Sequence, residues 1–146
     1  MAVRRPVDPA YGRDGDEVSF ADGYPLLLIS QAALDGLNAR LADAGRAPVT
    51  MAHFRPNLVV AGVEAHAEDG WRRLRIGEVL FDAVKPCTRC VFTTVDPALG
   101  RRRDDGEPLE TLKAYRRTPA GVTFGMNLIA RDTGMLRTGD AVEVLA

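Results

Sequence analysis

Apolar positions fall in short runs along this chain, and their period changes several times. Pro25 to Ile29 is a near-continuous apolar stretch, read as a short buried strand that follows a turn at Ala21-Asp22-Gly23. Behind it Leu34, Leu37 and Leu41 recur at helical spacing. Ser30 offers the N-cap oxygen for that helix and Gly45 its stop. Ala47 to Met51 reads as a short extended segment, and Leu58 to Val63, β-branched and apolar, as a central strand. Leu74 and Ile76 answer Val79 and Phe81 across Gly77-Glu78, the pattern of a hairpin over residues 71–84. Arg89 to Val95 reads as a further strand, and Asp96 to Glu107 as a polar loop whose start is turned by Asp96-Pro97. Pro108 suits the first position of a helix reaching about Arg117. Val122 to Arg131 and Ala141 to Leu145 are closing strands, with a turn at Gly139-Asp140 before the last. Residues 1–19, rich in proline, glycine and charge, read as an irregular lead-in. Many short strands with two or three short helices predict a β-rich α+β domain over residues 20–146, built as a curled mixed sheet or β-barrel.

Composition narrows the function classes. At 146 residues the chain makes one domain, and 46% apolar with 27% charged residues is ordinary for a globular protein. A net charge of −1 provides no global field for nucleic acid or an anionic membrane. No apolar run is long enough to span a bilayer, and Met1 to Tyr11 lacks the hydrophobic stretch of a signal peptide. With only two cysteines, a reducing, cytoplasmic setting is expected. No Ser-His-Asp set, P-loop or dinucleotide fingerprint is present. Arginine dominates the basic residues, with Lys85 and Lys113 the only lysines.

The candidate chemistry sits at Cys87-Thr88-Arg89-Cys90. A structural zinc site wants four ligands, mostly Cys and His. These two cysteines with His53 and His66 would exhaust the chain's supply, at no finger-like spacing. A thioredoxin-type motif belongs at a strand-to-helix junction in a βαβ unit, whereas β-branched and aromatic residues follow Cys90. A disulfide here would close a very small loop in a chain that can bury a core without one. Two readings stay open: a pair of buried structural thiols, or one thiolate that ligates a metal arriving inside a larger cofactor.

An ordered set of motifs weighs on that choice. Phe20-Ala21-Asp22-Gly23-Tyr24-Pro25 comes first, then Phe54-Arg55-Pro56-Asn57 before Leu58-Val59-Val60. Glu68-Asp69-Gly70-Trp71 leading to Ile76-Gly77 follows, then Cys87 to Pro97. Glu107-Pro108-Leu109-Glu110-Thr111-Leu112-Lys113 with Tyr115-Arg116, Phe124-Gly125 and Gly139-Asp140 complete the order. From about Phe20 to its end the chain resembles a MOSC domain, the C-terminal domain of molybdenum cofactor sulfurases. The resemblance is strongest to the branch that contains the mitochondrial amidoxime-reducing component and its bacterial relatives.

The resemblance implies a molybdenum cofactor, a pterin dithiolene with a phosphate, and Cys90 as the thiolate on its metal and the catalytic residue. A free thiol ionises near pH ~8.5, and a bound metal removes its proton outright. Cofactor contacts are implied at Arg55, Asn57, Thr88, Arg89, Ser30 and Asn127. A guanidinium at Arg55 can clamp phosphate in a fork, and an amide at Asn57 can both donate to and accept from a pterin edge. Pro56 is expected to hold Arg55 extended. Strand alternation is expected to project Thr88 and Cys90 alike and Arg89 oppositely. Ser30 has a second reading as a plain N-cap. The family-level description also includes pyridoxal phosphate binding, to which no residue here is matched.

The activity implied is reduction of small N-hydroxylated compounds, amidoximes and hydroxylamines, with electrons from a separate donor protein, since a 2Fe-2S centre would need four cysteines. The alternative is a non-catalytic cofactor-binding or sulfur-carrier module, with persulfide on Cys90. The lead-in is expected to come from a missing N-terminal domain. His53 is given no catalytic role. Arg101 to Arg103 with Asp104 and Asp105 reads as a solvated loop, and Trp71 and Tyr115 as packing anchors.

Overall fold

A computed structural model describes residues 25–146 throughout, and before them only the strands Arg4–Pro6 and Glu17–Phe20. The strands are β1 (Arg4–Pro6), β2 (Glu17–Phe20), β3 (Pro25–Ser30), β4 (Leu58–Val60), β5 (Arg73–Ile76), β6 (Val79–Thr88), β7 (Val95–Asp96), β8 (Arg101–Arg102), β9 (Arg117–Thr118), β10 (Gly121–Ala130), β11 (Gly134–Arg137) and β12 (Ala141–Val144). The helices are α1 (Gln31–Asp43) and α2 (Leu109–Tyr115). The main sheet runs β1-β12-β5-β6-β10-β3-β4, with β9 on β10, and curls into a nearly closed barrel. Every pairing in it is antiparallel except β3 with β4. The mixed, curled sheet and two helices match the expected class. No helix among the described residues is long and apolar enough to cross a membrane.

Two apolar cores divide the sheet's faces. Leu26, Leu28, Leu58, Val60, Leu74, Ile76, Val79, Phe81, Met126, Leu128 and Val142 fill the inside of the curl. Ile29, Leu34, Leu37, Leu41, Val59, Leu112, Val122 and Phe124 form the second core, where α1 and α2 pack on the sheet. Period-2 alternation explains β3 and β4, where Leu28 and Ile29 face opposite ways. It does not explain β10, because Val122 and Phe124 share their parity with Met126 and Leu128 yet enter the other core. A bulge resolves this. The register on β6 shifts between Thr123 and Met126, and Gly125 between them holds φ +95°. One extra residue flips the facing of everything before it.

Several expectations are corrected. Arg89 to Val95 is not a strand: β6 stops at Thr88, and Val91–Thr94 is a 3-10 turn. The Thr93 and Thr94 hydroxyls donate to the carbonyls of Cys90 (2.9 Å) and Val91 (2.6 Å), which holds the turn against the strand propensity of its residues. The polar loop after it contains the β7–β8 hairpin, in which Asp96 Oδ1 accepts from the Ala98 and Leu99 amides. β4 ends the sheet order rather than lying centrally, and Ala47 to Met51, expected to be extended, forms no strand and runs into a 3-10 turn at Met51–His53. The lead-in contributes two strands, β1 on β12 and β2 on β11. The expected turn at residues 21–23 lies outside the described residues.

Candidate functional site

A cleft of about 260 Å³ opens where β6 ends. Thr88, Arg89 and Cys90 form one wall, the turn carrying His53, Phe54 and Arg55 another, and Phe92, Thr93 and Val95 the rim. Four residues expected at a cofactor site are thus brought together: Arg55, Thr88, Arg89 and Cys90. Three are not. Ser30 is fully buried, and its Oγ accepts from the Ala33 amide (3.2 Å), so it is the N-cap of α1. Asn57 laces β4 to β3, its Oδ1 accepting from the Leu27 amide (2.8 Å) and its own amide donating to the Leu27 carbonyl (2.9 Å). Asn127 lies within β10, opposite Leu27 and Lys85. None of the three lines the cleft.

Both thiols are free, Cys90 exposed and Cys87 half-buried, so the buried structural pair is excluded. Cys90 is placed by its main chain. Its carbonyl accepts from the Thr93 amide (3.1 Å) as well as the Thr93 hydroxyl, which leaves the thiol unengaged. Among the described residues no three His, Cys, Asp or Glu side chains gather to hold a metal ion. A metal on Cys90 must therefore bring its remaining ligands with it. Neither lysine lines the cleft, so it holds no amine for a pyridoxal phosphate imine.

Arg89 lies just past the end of β6, half-buried between exposed Thr88 and Cys90, and lines the cleft with them. Its Nε donates to the Phe124 carbonyl (3.0 Å) and its Nη1 to the Phe54 carbonyl (3.1 Å), with the guanidinium 5.2 Å from the Phe54 ring centre. The bulge at Gly125 thus presents the Phe124 carbonyl to Arg89. Burial pulls the guanidinium below its usual range, and negative charge on Cys87 and Cys90 opposes that pull. Arg89 Nη2 is buried without a partner.

Arg55 departs from expectation. It is exposed at φ +53°, left-handed rather than extended. Its amide donates to the Met51 carbonyl (3.0 Å), the pattern of a residue that ends a helical turn in the left-handed region. That conformation costs a side-chain-bearing residue about 1–2 kcal/mol. Arg55 engages no other side chain among the described residues and is free to take an anion.

His53 is a residue the sequence reading passed over, although Thr50 three positions before it carried the signal of a capped turn. Its Nδ1 accepts from the Thr50 amide (3.2 Å), which puts the neutral ring's proton on Nε2, and Nε2 is buried without a partner at the cleft wall. Burial lowers its pKa, so the ring is neutral near pH 7. Orphaned N–H groups at His53 and Arg89, a free guanidinium and an exposed thiol fit an oxygen-rich anionic group that carries a soft metal.

A second polar cluster lies away from the cleft. Glu68 is fully buried; its Oε2 accepts from the Ser30 amide (2.7 Å), and burial raises its pKa. His66 packs edge-on against Phe124 and Tyr115, and burial with the nearby Arg116 cation lowers its pKa to about 4. Arg116 pairs with Asp69 at 2.6 Å. Tyr115 lies under the Arg40 guanidinium and packs on the second core, as an anchor should.

Comparison with known proteins places this geometry. The MOSC domain family model matches residues 15–143. The mitochondrial amidoxime-reducing component 1 of Mus musculus is 40% identical over 141 residues, 91% of this chain and 40% of that protein. The mitochondrial amidoxime reducing component 2 of Rattus norvegicus is 46% identical over 134 residues, 86% and 38% respectively. The chain spans about two-fifths of the length of these curated relatives. YiiM from Escherichia coli superposes with a TM-score of 0.63 at 16% identity, covering 99% of this chain and 70% of that one. The YUAD protein of Bacillus subtilis gives 0.62 at 12%, covering 99% and 97%. These structural likenesses speak for the fold alone.

Proposed function

The chain belongs to the MOSC domain family, and from that premise we propose that it is the molybdenum-cofactor domain of a reductase of small N-hydroxylated compounds. The observation that carries the reading is an exposed, unengaged Cys90 thiol in a cleft with cationic walls and no other metal-ligand cluster among the described residues. The curated relatives' names, which describe amidoxime reduction, support the substrate class.

When bound, the cofactor supplies the metal that takes the oxygen of an N–OH group; the overall change uses two electrons and two protons and releases water. The chain's own residues supply placement. Cys90 presents the thiolate, and Arg89 offsets its charge from behind. Arg55 clamps the phosphate, and Thr88 borders the group beside the thiolate. Phe92, 76% exposed, shapes the rim over which a small substrate enters. Electrons come from a separate donor protein, for which exposed Phe92, Leu99, Arg101 and Arg102 offer a surface.

The test is reconstitution of the chain with molybdenum cofactor. Bound molybdenum and pterin are quantified, and turnover of an amidoxime is followed with an artificial electron donor. Cys90→Ala is expected to abolish turnover, whereas Cys87→Ala retains it. Equal activity of Cys90→Ala and wild type overturns the reading. Bound cofactor without turnover, with persulfide on Cys90 by mass spectrometry, favours a carrier module instead.

A further inference from the structure

We propose that His53 is a positioning residue for Arg55: by accepting the Thr50 amide it holds the turn that aims the Arg55 guanidinium into the cleft. The chain of contacts is short. The Thr50 amide donates to His53 Nδ1 at 3.2 Å, and the Thr50 carbonyl accepts from the His53 amide at 3.1 Å. These two bonds pin both ends of the Met51–His53 turn. The Met51 carbonyl at its start then accepts from both the Phe54 amide (2.9 Å) and the Arg55 amide (3.0 Å). Residue 55 leaves this turn in the left-handed region, at φ +53°, the conformation that commonly follows such a turn.

Sterics oppose that placement twice. A side chain disfavours positive φ, and a following proline favours extended backbone. A conformation so disfavoured persists only where its surroundings over-determine it. His53 provides that determination from the cleft wall itself, its ring bonding back to the amide of Thr50. An imidazole serves only while Nδ1 is unprotonated. Asparagine, whose Oδ1 stands the same number of bonds from the backbone, can accept the same amide without titrating.

The inference rests on the reading of Arg55 as the cleft's anion-gripping cation, and the experiment separates the two. Inorganic sulfate is titrated at pH 7 into the purified chain and into His53→Leu, His53→Asn and Arg55→Gln, by calorimetry. The backbone φ of residue 55 is measured in each by NMR coupling constants. The expected result is sulfate binding weakened about tenfold in both His53→Leu and Arg55→Gln, with His53→Asn close to wild type. Residue 55 leaves positive φ in His53→Leu and keeps it in His53→Asn. If Arg55→Gln weakens sulfate but His53→Leu does not, the positioning role is wrong while the Arg55 reading stands. If Arg55→Gln has no effect, the Arg55 reading fails. The positioning role then stands or falls on whether φ at residue 55 changes in His53→Leu and is restored in His53→Asn.

Discussion

Replacing Gly125 by alanine tests the link between the sheet and the cleft. Gly125 holds φ +95° inside the β10 bulge. An added Cβ would stand 2.9 Å from Ile29 Cγ1, 3.0 Å from Leu27 Cδ1 and 3.2 Å from the Leu28 carbonyl oxygen. The backbone cost of a left-handed alanine is about 1–2 kcal/mol. Forcing the methyl against a carbonyl that cannot yield adds about 1–3 kcal/mol. The lower entropy of the unfolded alanine chain returns only about 0.4–1 kcal/mol. The net expectation is a loss of about 1–4.5 kcal/mol, read as a fall of roughly 0.5–2 M in the urea midpoint. Gly139→Ala is the control, because Gly139 also sits at φ +95° but nothing lies within 4 Å of its Cβ position. With the same unfolded-state return it should lose about 0–1.5 kcal/mol, so the difference between the two variants reads the packing term alone. Indistinguishable midpoints for the two variants would refute the packing argument, and an unshifted Gly125→Ala would refute the need for the bulge. Sulfate affinity is expected to fall as well, since the bulge aims the Phe124 carbonyl at Arg89.

Arg89→Met removes two charge-assisted hydrogen bonds to buried carbonyls, each worth about 1.5–3 kcal/mol; chemical denaturation should show a loss of about 3 kcal/mol, and an unchanged midpoint would count against the tie between the two walls. His66 has its folded pKa depressed to about 4 from 6.5, so its stabilising contribution is complete above pH 6.5 and is lost as pH falls through 4. The full shift corresponds to ~3 kcal/mol, and screening of a half-exposed ring reduces this to about 1–2 kcal/mol. The stability difference between wild type and His66→Gln from pH 7 to pH 4 measures it, with the opposite acid response of buried Glu68 cancelling in the comparison. A thiol reagent followed by peptide mapping should modify exposed Cys90 well before half-buried Cys87.

Local signals were readable wherever local chemistry decides. Ser30 and Gly45 bracket α1, Gly77-Glu78 turns a hairpin, and Leu34, Leu37 and Leu41 bury the helix face they mark. The thiol, Arg55, Thr88 and Arg89 were legible as a set through the family's ordered motifs, which composition and periodicity alone did not supply. What escaped depends on specific hydrogen bonds and a bulge that no periodicity reads. The Val91–Thr94 turn carries strand formers, and its threonine hydroxyls overrule them by bonding to carbonyls three residues back. Arg55 reads as extended because Pro56 follows it, yet it leaves the Met51–His53 turn at φ +53°. The facing of Val122 and Phe124 is invisible to any period count, because a single glycine inverts it.

Residue 90 keeps its place through a carbonyl gripped twice by Thr93, while its sulfur has no structural duty. The donor atom is therefore interchangeable as far as the scaffold is concerned: a serine oxygen or a selenium in its stead would stand on the same ledge. Hardness and redox character at this one point can vary without asking the barrel to refold.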